Sequence, residues 1–255
     1  MQKIEIMGIP FDNVTMKEAV ELAFSFIEKG EQALAVTPNA EILELCLKHE
    51  DVKKAVLSAE IILPDGEGAL WAAKKLASPL KQKVAGVEFG LECVRKASES
   101  GKSLFLLGGK PGIAEKAAEA LKSRFKSLKI AGTANGYFDK TGKENAAMLA
   151  KINESGADIL FVCLGAPAQE KWVCENRASL KAPKLIACLG GSLDIYSGAA
   201  KRAPKIFIRM RAEWLYRLLR EPKRIGRMMN LPKFMLSVCK YKRNLKKTRN
   251  LKNES

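Results

Sequence analysis

Short, unbroken apolar runs alternate with stretches of helical spacing along most of this chain. Lys3–Met7 reads as a strand, and Thr15-Met16-Lys17-Glu18 opens a helix with a hydroxyl cap and an acid three residues on. Ala19, Leu22, Ala23, Phe26 and Ile27 then recur at the spacing that turns one helical face inward. Ala33–Val36, Ala59–Leu63, Ser103–Leu107, Lys129–Gly132, Ile159–Leu164 and Leu185–Leu189 read as further strands. Helices are predicted over Glu41–Lys48, Gly90–Ser100 and Ile113–Lys126. Continuous apolar strands, each followed by a helix, predict a parallel sheet covered on both faces. The fold class expected is therefore α/β: a Rossmann-like, mostly parallel sheet with helices on both faces, plus a basic helical C-terminal appendage.

Charge divides the chain sharply. From Lys201 to Ser255 there are 18 Lys and Arg against Glu213, Glu221 and Glu254, a net +15, while residues 1–200 carry only +1 of the total +16. Two parts follow: an α/β core over residues 1–195 and a basic appendage over residues 196–255. On a helical wheel Arg217, Arg220, Arg224 and Arg227 fall within roughly 80° of one another. Pro222 suits the first position of a new helix, so the stripe persists only if the two helical pieces are nearly collinear. Trp214, Leu215, Leu218, Ile225, Met228, Met229, Leu231, Phe234 and Met235 supply an apolar counter-face. A basic helix of this kind serves as a solvated surface or a nucleic-acid binder. The interleaved Trp, Met, Phe and Leu favour a membrane surface plus a phosphate ligand, which arginine grips as a planar fork. The last dozen residues are polar and are expected to be disordered.

Other classes are narrowed by what the residues lack. No apolar run reaches the roughly 18–20 residues that cross a bilayer, and Met1–Pro10 has no basic-then-apolar leader, which places the chain in the cytosol. The six cysteines form no C-x-x-C pair, and the single histidine, His49, sits in a polar Leu-Lys-His-Glu-Asp setting. A Cys/His metal site or a histidine-based triad is not expected, and no metal or cofactor is implied. Gly108-Gly109-Lys110-Pro111-Gly112 fails the dinucleotide fingerprint, no P-loop is present, and no Asp-x-Asp pair offers to hold a divalent cation.

Open parallel sheets bind ligands outside the carboxyl ends of their strands. There the sequence places Thr37 and Asn39, Asp65, Gly108 and Gly109, Gly165 and Gln169, Gly190 and Gly191, and Asp194. Glycine turns admit phosphate to backbone N–H groups, or simply turn the chain. Asp65 follows Ile61-Ile62-Leu63-Pro64, so its carboxylate emerges beside an apolar wall that favours the neutral form and suits a general base. Equally, Asp-Gly sequences use the carboxylate in turns. Asp194 also suits a helix cap, and Thr37 with Asn39 also suits an Asx-type turn around Pro38.

Eight motifs, in order, carry a resemblance. They are Thr37-Pro38-Asn39-Ala40-Glu41, Asp65-Gly66-Glu67-Gly68, Leu107-Gly108-Gly109-Lys110-Pro111-Gly112, Gly136-Tyr137-Phe138, Leu164-Gly165-Ala166-Pro167-Ala168-Gln169-Glu170-Lys171-Trp172, Gly190-Gly191-Ser192-Leu193-Asp194, Arg202-Ala203-Pro204, and Glu213-Trp214-Leu215-Tyr216-Arg217-Leu218 with Glu221-Pro222-Lys223-Arg224. Over residues 3 to 230 the chain resembles the WecG/TagA/CpsF glycosyltransferases. The resemblance implies transfer of N-acetylmannosamine, with inversion, from a UDP-sugar donor to a polyprenyl-diphosphate-linked GlcNAc acceptor at the cytoplasmic membrane face. It puts the base on Asp65, the pocket residues on Thr37 and Asn39, and the tail arginines on Arg217, Arg224 and Arg227. The partners implied are those two substrates and an anionic membrane surface, with no nucleic acid; a homo-oligomer stays open. A uronic acid or another hexose as donor, a nucleic-acid-binding module and a nicotinamide oxidoreductase are the rival readings.

Overall fold

The computed structural model describes residues 2–201, 204, 207, 216 and 230–253. The chain opens with a hairpin, β1 (Lys3–Ile6) and β2 (Ile9–Asp12), joined by Met7-Gly8. Both turn residues have positive φ, +55° and +84°, as a tight hairpin turn of the right twist requires. The second strand was not expected from the sequence, because Ile-Pro-Phe-Asp interrupts the apolar run with a proline.

Six parallel strands form the main sheet in the order β4-β3-β8-β7-β5-β6. They are β3 (Ala33–Val36), β4 (Ile61–Ile62), β5 (Ser103–Gly108), β6 (Lys129–Ala134), β7 (Ile159–Cys163) and β8 (Leu185–Cys188). Successive side chains point to opposite faces, and both faces are apolar. Leu34, Val36, Phe105, Leu107, Leu160, Val162 and Ile186 enter one core; Ala33, Ala35, Leu104, Leu106, Ile159, Phe161 and Leu185 enter the other. The expected Rossmann-like architecture is what the structure has.

Helices α1 (Met16–Lys29), α5 (Gly86–Ser100), α6 (Ile113–Arg124) and α9 (Ser192–Tyr196) cover the second face. The first carries α2 (Ala40–Lys48), α3 (Glu50–Leu57), α4 (Glu67–Lys75), α7 (Gly142–Glu154) and α8 (Ala168–Asn176). Helix α1 has the expected capping box, with Thr15 Oγ1 accepting from Glu18 N–H and the Glu18 carboxylate accepting from Thr15 N–H. Helix α5 starts a turn earlier than the expected Gly90. Its two glycines are packing positions, since a Cβ on Gly86 would lie 2.7 Å from Thr37 Oγ1 and one on Gly90 would lie 2.5 Å from the Tyr196 hydroxyl.

The short edge strand β4 is closed off by the hairpin. Asp12, buried, accepts from Ile62 N–H at 2.8 Å and pairs with Lys3 at 3.2 Å. A long helix, α10 (Asn230–Asn253), packs against α2 and α4 and sends Phe234 and Val238 fully into the first core. The expected disorder of the last dozen residues is corrected here: the helix continues to Asn253. Leu245, Lys246 and Lys247 are good helix formers, no Gly or Pro interrupts them, and the docked first turns supply the nucleus.

Candidate active site

All six strands end at one edge, and the turns there carry the residues singled out above. At the β3–β4 end, Asp65 N–H donates to Pro38 O at 3.3 Å, and one Asp65 carboxylate oxygen accepts from Gly86 N–H at 3.3 Å. Gly86 is the first residue of α5, so this half-buried carboxylate sits at the positive end of a 15-residue helix. Beside the apolar strand the sequence had pointed to, the structure thus adds a hydrogen-bond donor.

Asn39 caps α2: its Oδ1 accepts from Glu41 N–H at 2.9 Å and Ile42 N–H at 3.1 Å. That leaves the amide Nδ2 as the group Asn39 has for a ligand. Gly66, at φ +85°, lies next to it, with its Cβ direction 3.9 Å from Asn39 Cβ. A Cβ on Gly68 would stand 2.6 Å from Ala40 Cβ, so only glycine lets the starts of α2 and α4 touch. Thr37 is nearly sealed, with Oγ1 3.4 Å from Cys188 O and Gly86 against its other side. It forms a wall between β8 and α5.

At the β5–β7 end the chain reverses through paired glycines. Gly108 has φ +138°, and a Cβ there would lie 2.2 Å from Cys163 O. Gly109 N–H donates to Cys163 O at 3.4 Å, and its own carbonyl accepts from Gly136 N–H at 2.8 Å. The sheet's connections diverge here, β5 leading outward to β6 and β7 inward to β8, which is where such sheets open a ligand crevice. Tyr137, next to Gly136, is 69 % exposed on this lip. Behind it Lys140 donates to Gly136 O and Phe138 O, both at 2.6 Å, and burial lowers its pKa.

Gln169 joins the two ends. It is only 2 % exposed; its backbone N–H donates to Gly165 O at 2.9 Å, and its Oε1 accepts from Gly190 N–H at 2.9 Å. Its Nε2 donates to Glu170 Oε1 at 2.8 Å. The sequence offered Gln169 as a ligand group; the structure places it as a strut between the turns after β7 and β8. Asp194, in the first turn of α9, lies below the Gly190-Gly191 turn, its Oδ2 3.7 Å from the Cβ direction of Gly191.

Sequence reasoning passed over Glu170. It is 1 % exposed, its Oε2 has no partner among the described residues, and burial raises its pKa above the ordinary carboxylate range. The signal was its place one turn before Val173, on the face of α8 that turns inward. The nearby thiols of Cys46 and Cys188 are also pushed up by burial, with Glu170 contributing, Cys46 to about 12. Arg217, Arg224 and Arg227 lie outside the described residues. Among the described residues no group of three or more His, Cys, Asp and Glu is placed to hold a metal.

This sheet, with the turns that carry the candidate residues gathered at its carboxyl edge, is an α/β fold of Rossmann-like type. The sequence profile of the glycosyl transferase WecG/TagA/CpsF family matches residues 4–248. Curated proteins of three Staphylococcus aureus strains, MRSA252, MW2 and NCTC 8325 / PS 47, are each 34% identical over 249 residues. The match covers 97% of this chain and 96% of each relative, and each bears the name N-acetylglucosaminyldiphosphoundecaprenol N-acetyl-beta-D-mannosaminyltransferase. The chain belongs to the WecG/TagA/CpsF family and is a glycosyltransferase.

Glu170 also makes stability depend on pH. Its folded-state pKa is raised, so the native state keeps the proton that the unfolded chain releases, and stability falls as pH rises above the unfolded value. Glu170→Gln removes this titration, so its stability advantage should widen from pH 4 toward pH 8, by at most about 1.4 kcal/mol per pH unit. Urea unfolding at both ends of that range measures it. A gap that stays constant would show Glu170 titrating normally.

Proposed function

We propose that the protein moves N-acetylmannosamine from UDP to undecaprenyl-diphosphate-linked GlcNAc, as in synthesis of the wall teichoic acid linkage unit, at the inner face of the plasma membrane. The observation that carries this reading is Asp65 held at the start of α5 beside Asn39, in a family whose named relatives act on that acceptor. Asp65 takes the proton from the acceptor hydroxyl while that oxygen attacks the anomeric carbon. The new glycosidic bond forms on the face opposite the breaking bond to the diphosphate, and a single displacement of this kind inverts the centre. One base suffices for it.

The leaving UDP carries the charge that has to be stabilised. The starts of α2, α4 and α5 offer fixed positive potential along the edge. Arg217, Arg224 and Arg227 of the appendage complete it electrostatically in place of a metal ion. Tyr137, exposed beside Gly136, offers an aromatic face to the nucleobase.

The core spans residues 1–195 and the appendage residues 196–255. Helix α10 returns the appendage to the core beside the site: Leu231 Cδ1 lies 3.7 Å from the Cβ direction of Gly68, one turn from Asp65. Its outward side mixes Met235 and Leu236, the latter 71 % exposed, with Lys233 and Lys240. That mixture suits a bilayer surface, where each basic residue near an anionic leaflet contributes about 1 kcal/mol, so five or six contacts hold the protein reversibly.

Asp65→Ala should lower kcat by about 10²–10⁴-fold in a UDP-release assay with a short-chain lipid-diphosphate-GlcNAc acceptor, while the affinity for UDP holds. Near-normal turnover would remove Asp65 as the base. On vesicles rich in phosphatidylglycerol, Leu236→Ser combined with Lys240→Ser should weaken binding by about tenfold. Unchanged sedimentation would contradict docking through this side of α10.

A further inference from the structure

Gln169 poses a problem that Glu170 solves. An amide side chain is nearly the same shape whichever way round it sits, yet only its oxygen can accept from Gly190 N–H, here at 2.9 Å. Turned over, Gln169 would set N–H against N–H in a buried place. Which end faces Gly190 is settled by what faces the other end, and that is Glu170 Oε1, accepting from Nε2 at 2.8 Å. A carboxyl oxygen accepts here whether or not the group is protonated.

The arrangement is held against stability. Glu170 is 1 % exposed, and its Oε2 has no partner among the described residues. An apolar side chain of similar volume would fill the same space without a buried unpaired oxygen. What the carboxyl adds is the acceptor. We infer that Glu170 is a positioning residue: through Gln169 it sets the Gly190-Gly191 turn between the two ends of the crevice, in the geometry that receives the sugar nucleotide. Ser192 closes the turn from one side, its N–H and Oγ both donating to Leu189 O at 3.2 and 2.6 Å, while Gln169 Oε1 holds the Gly190 N–H itself, at φ +59°. Two residues earlier, Cys188 O accepts from Thr37 Oγ1, so the same strand end forms part of the wall near Asp65. The kinetic part of this inference rests on the donor reading above; the structural part does not.

The test uses the full-length protein and three variants. Glu170→Met removes the acceptor at similar length, Glu170→Gln keeps an oxygen that can accept, and Gln169→Met removes the strut. Amide exchange at Gly190 is followed by NMR without any ligand, and KM for UDP-N-acetylmannosamine and kcat are measured separately. With Glu170→Met, exchange at Gly190 should speed up at least tenfold while the β8 amides stay protected. KM should rise about tenfold with kcat changed less than threefold. Glu170→Gln should restore both, and Gln169→Met should reproduce the loss. Unaltered Gly190 exchange in Gln169→Met overturns the inference however Glu170→Met folds. So does a Glu170→Gln protein that behaves like Glu170→Met. A wild-type protein inactive on UDP-sugars would overturn the donor reading and leave the exchange result standing.

Discussion

Everything in this molecule follows from six strands running the same way. Parallel pairing sends every carboxyl end to one edge, and each following helix begins there, with its unpaired N–H groups facing the same space. From β4 to β5 is four strand spacings, about 19 Å along that edge. Such an edge suits an extended, anionic ligand better than a compact neutral one. The carboxylate of Asp65 stands at one end of it, and the glycine turns after β5 and β7 stand toward the other.

Close approach is bought there with glycine and with buried polar groups. Gly108 lets the turn after β5 lie on Cys163 O, Gly68 lets α2 and α4 begin side by side, and Gly86 lets α5 begin against Thr37. Between the two ends, Gln169 ties the turn after β7 to the turn after β8, and Glu170 accepts from its amide.

The strands were legible because each is a short apolar run, and a parallel sheet buries both faces of every strand. Asp65 and Asn39 were legible for the same reason, as polar residues just past apolar runs. What each of them touches was not. The Gly86 N–H on Asp65 lies 21 positions away in sequence, and a glycine inside a helix reads as a boundary until the packing behind it is seen. Gln169 was singled out because it follows the end of a strand; its bond to Gly190, 21 positions on, is not encoded in any local pattern. The tail misled in another way. Its polarity argued for disorder, while Phe234 and Val238, a turn apart, dock the helix that carries it.

In the proposed function the sugar nucleotide binds along the carboxyl edge of the sheet. Titration of ¹⁵N-labelled protein with UDP, followed by amide chemical shifts, tests it most directly. The largest changes should fall at Ala40, Gly86, Gly109, Gly136, Gly165 and Gly190. Changes gathered instead at the groove between α2 and α10, around Leu47, Lys48 and Tyr241, would contradict it.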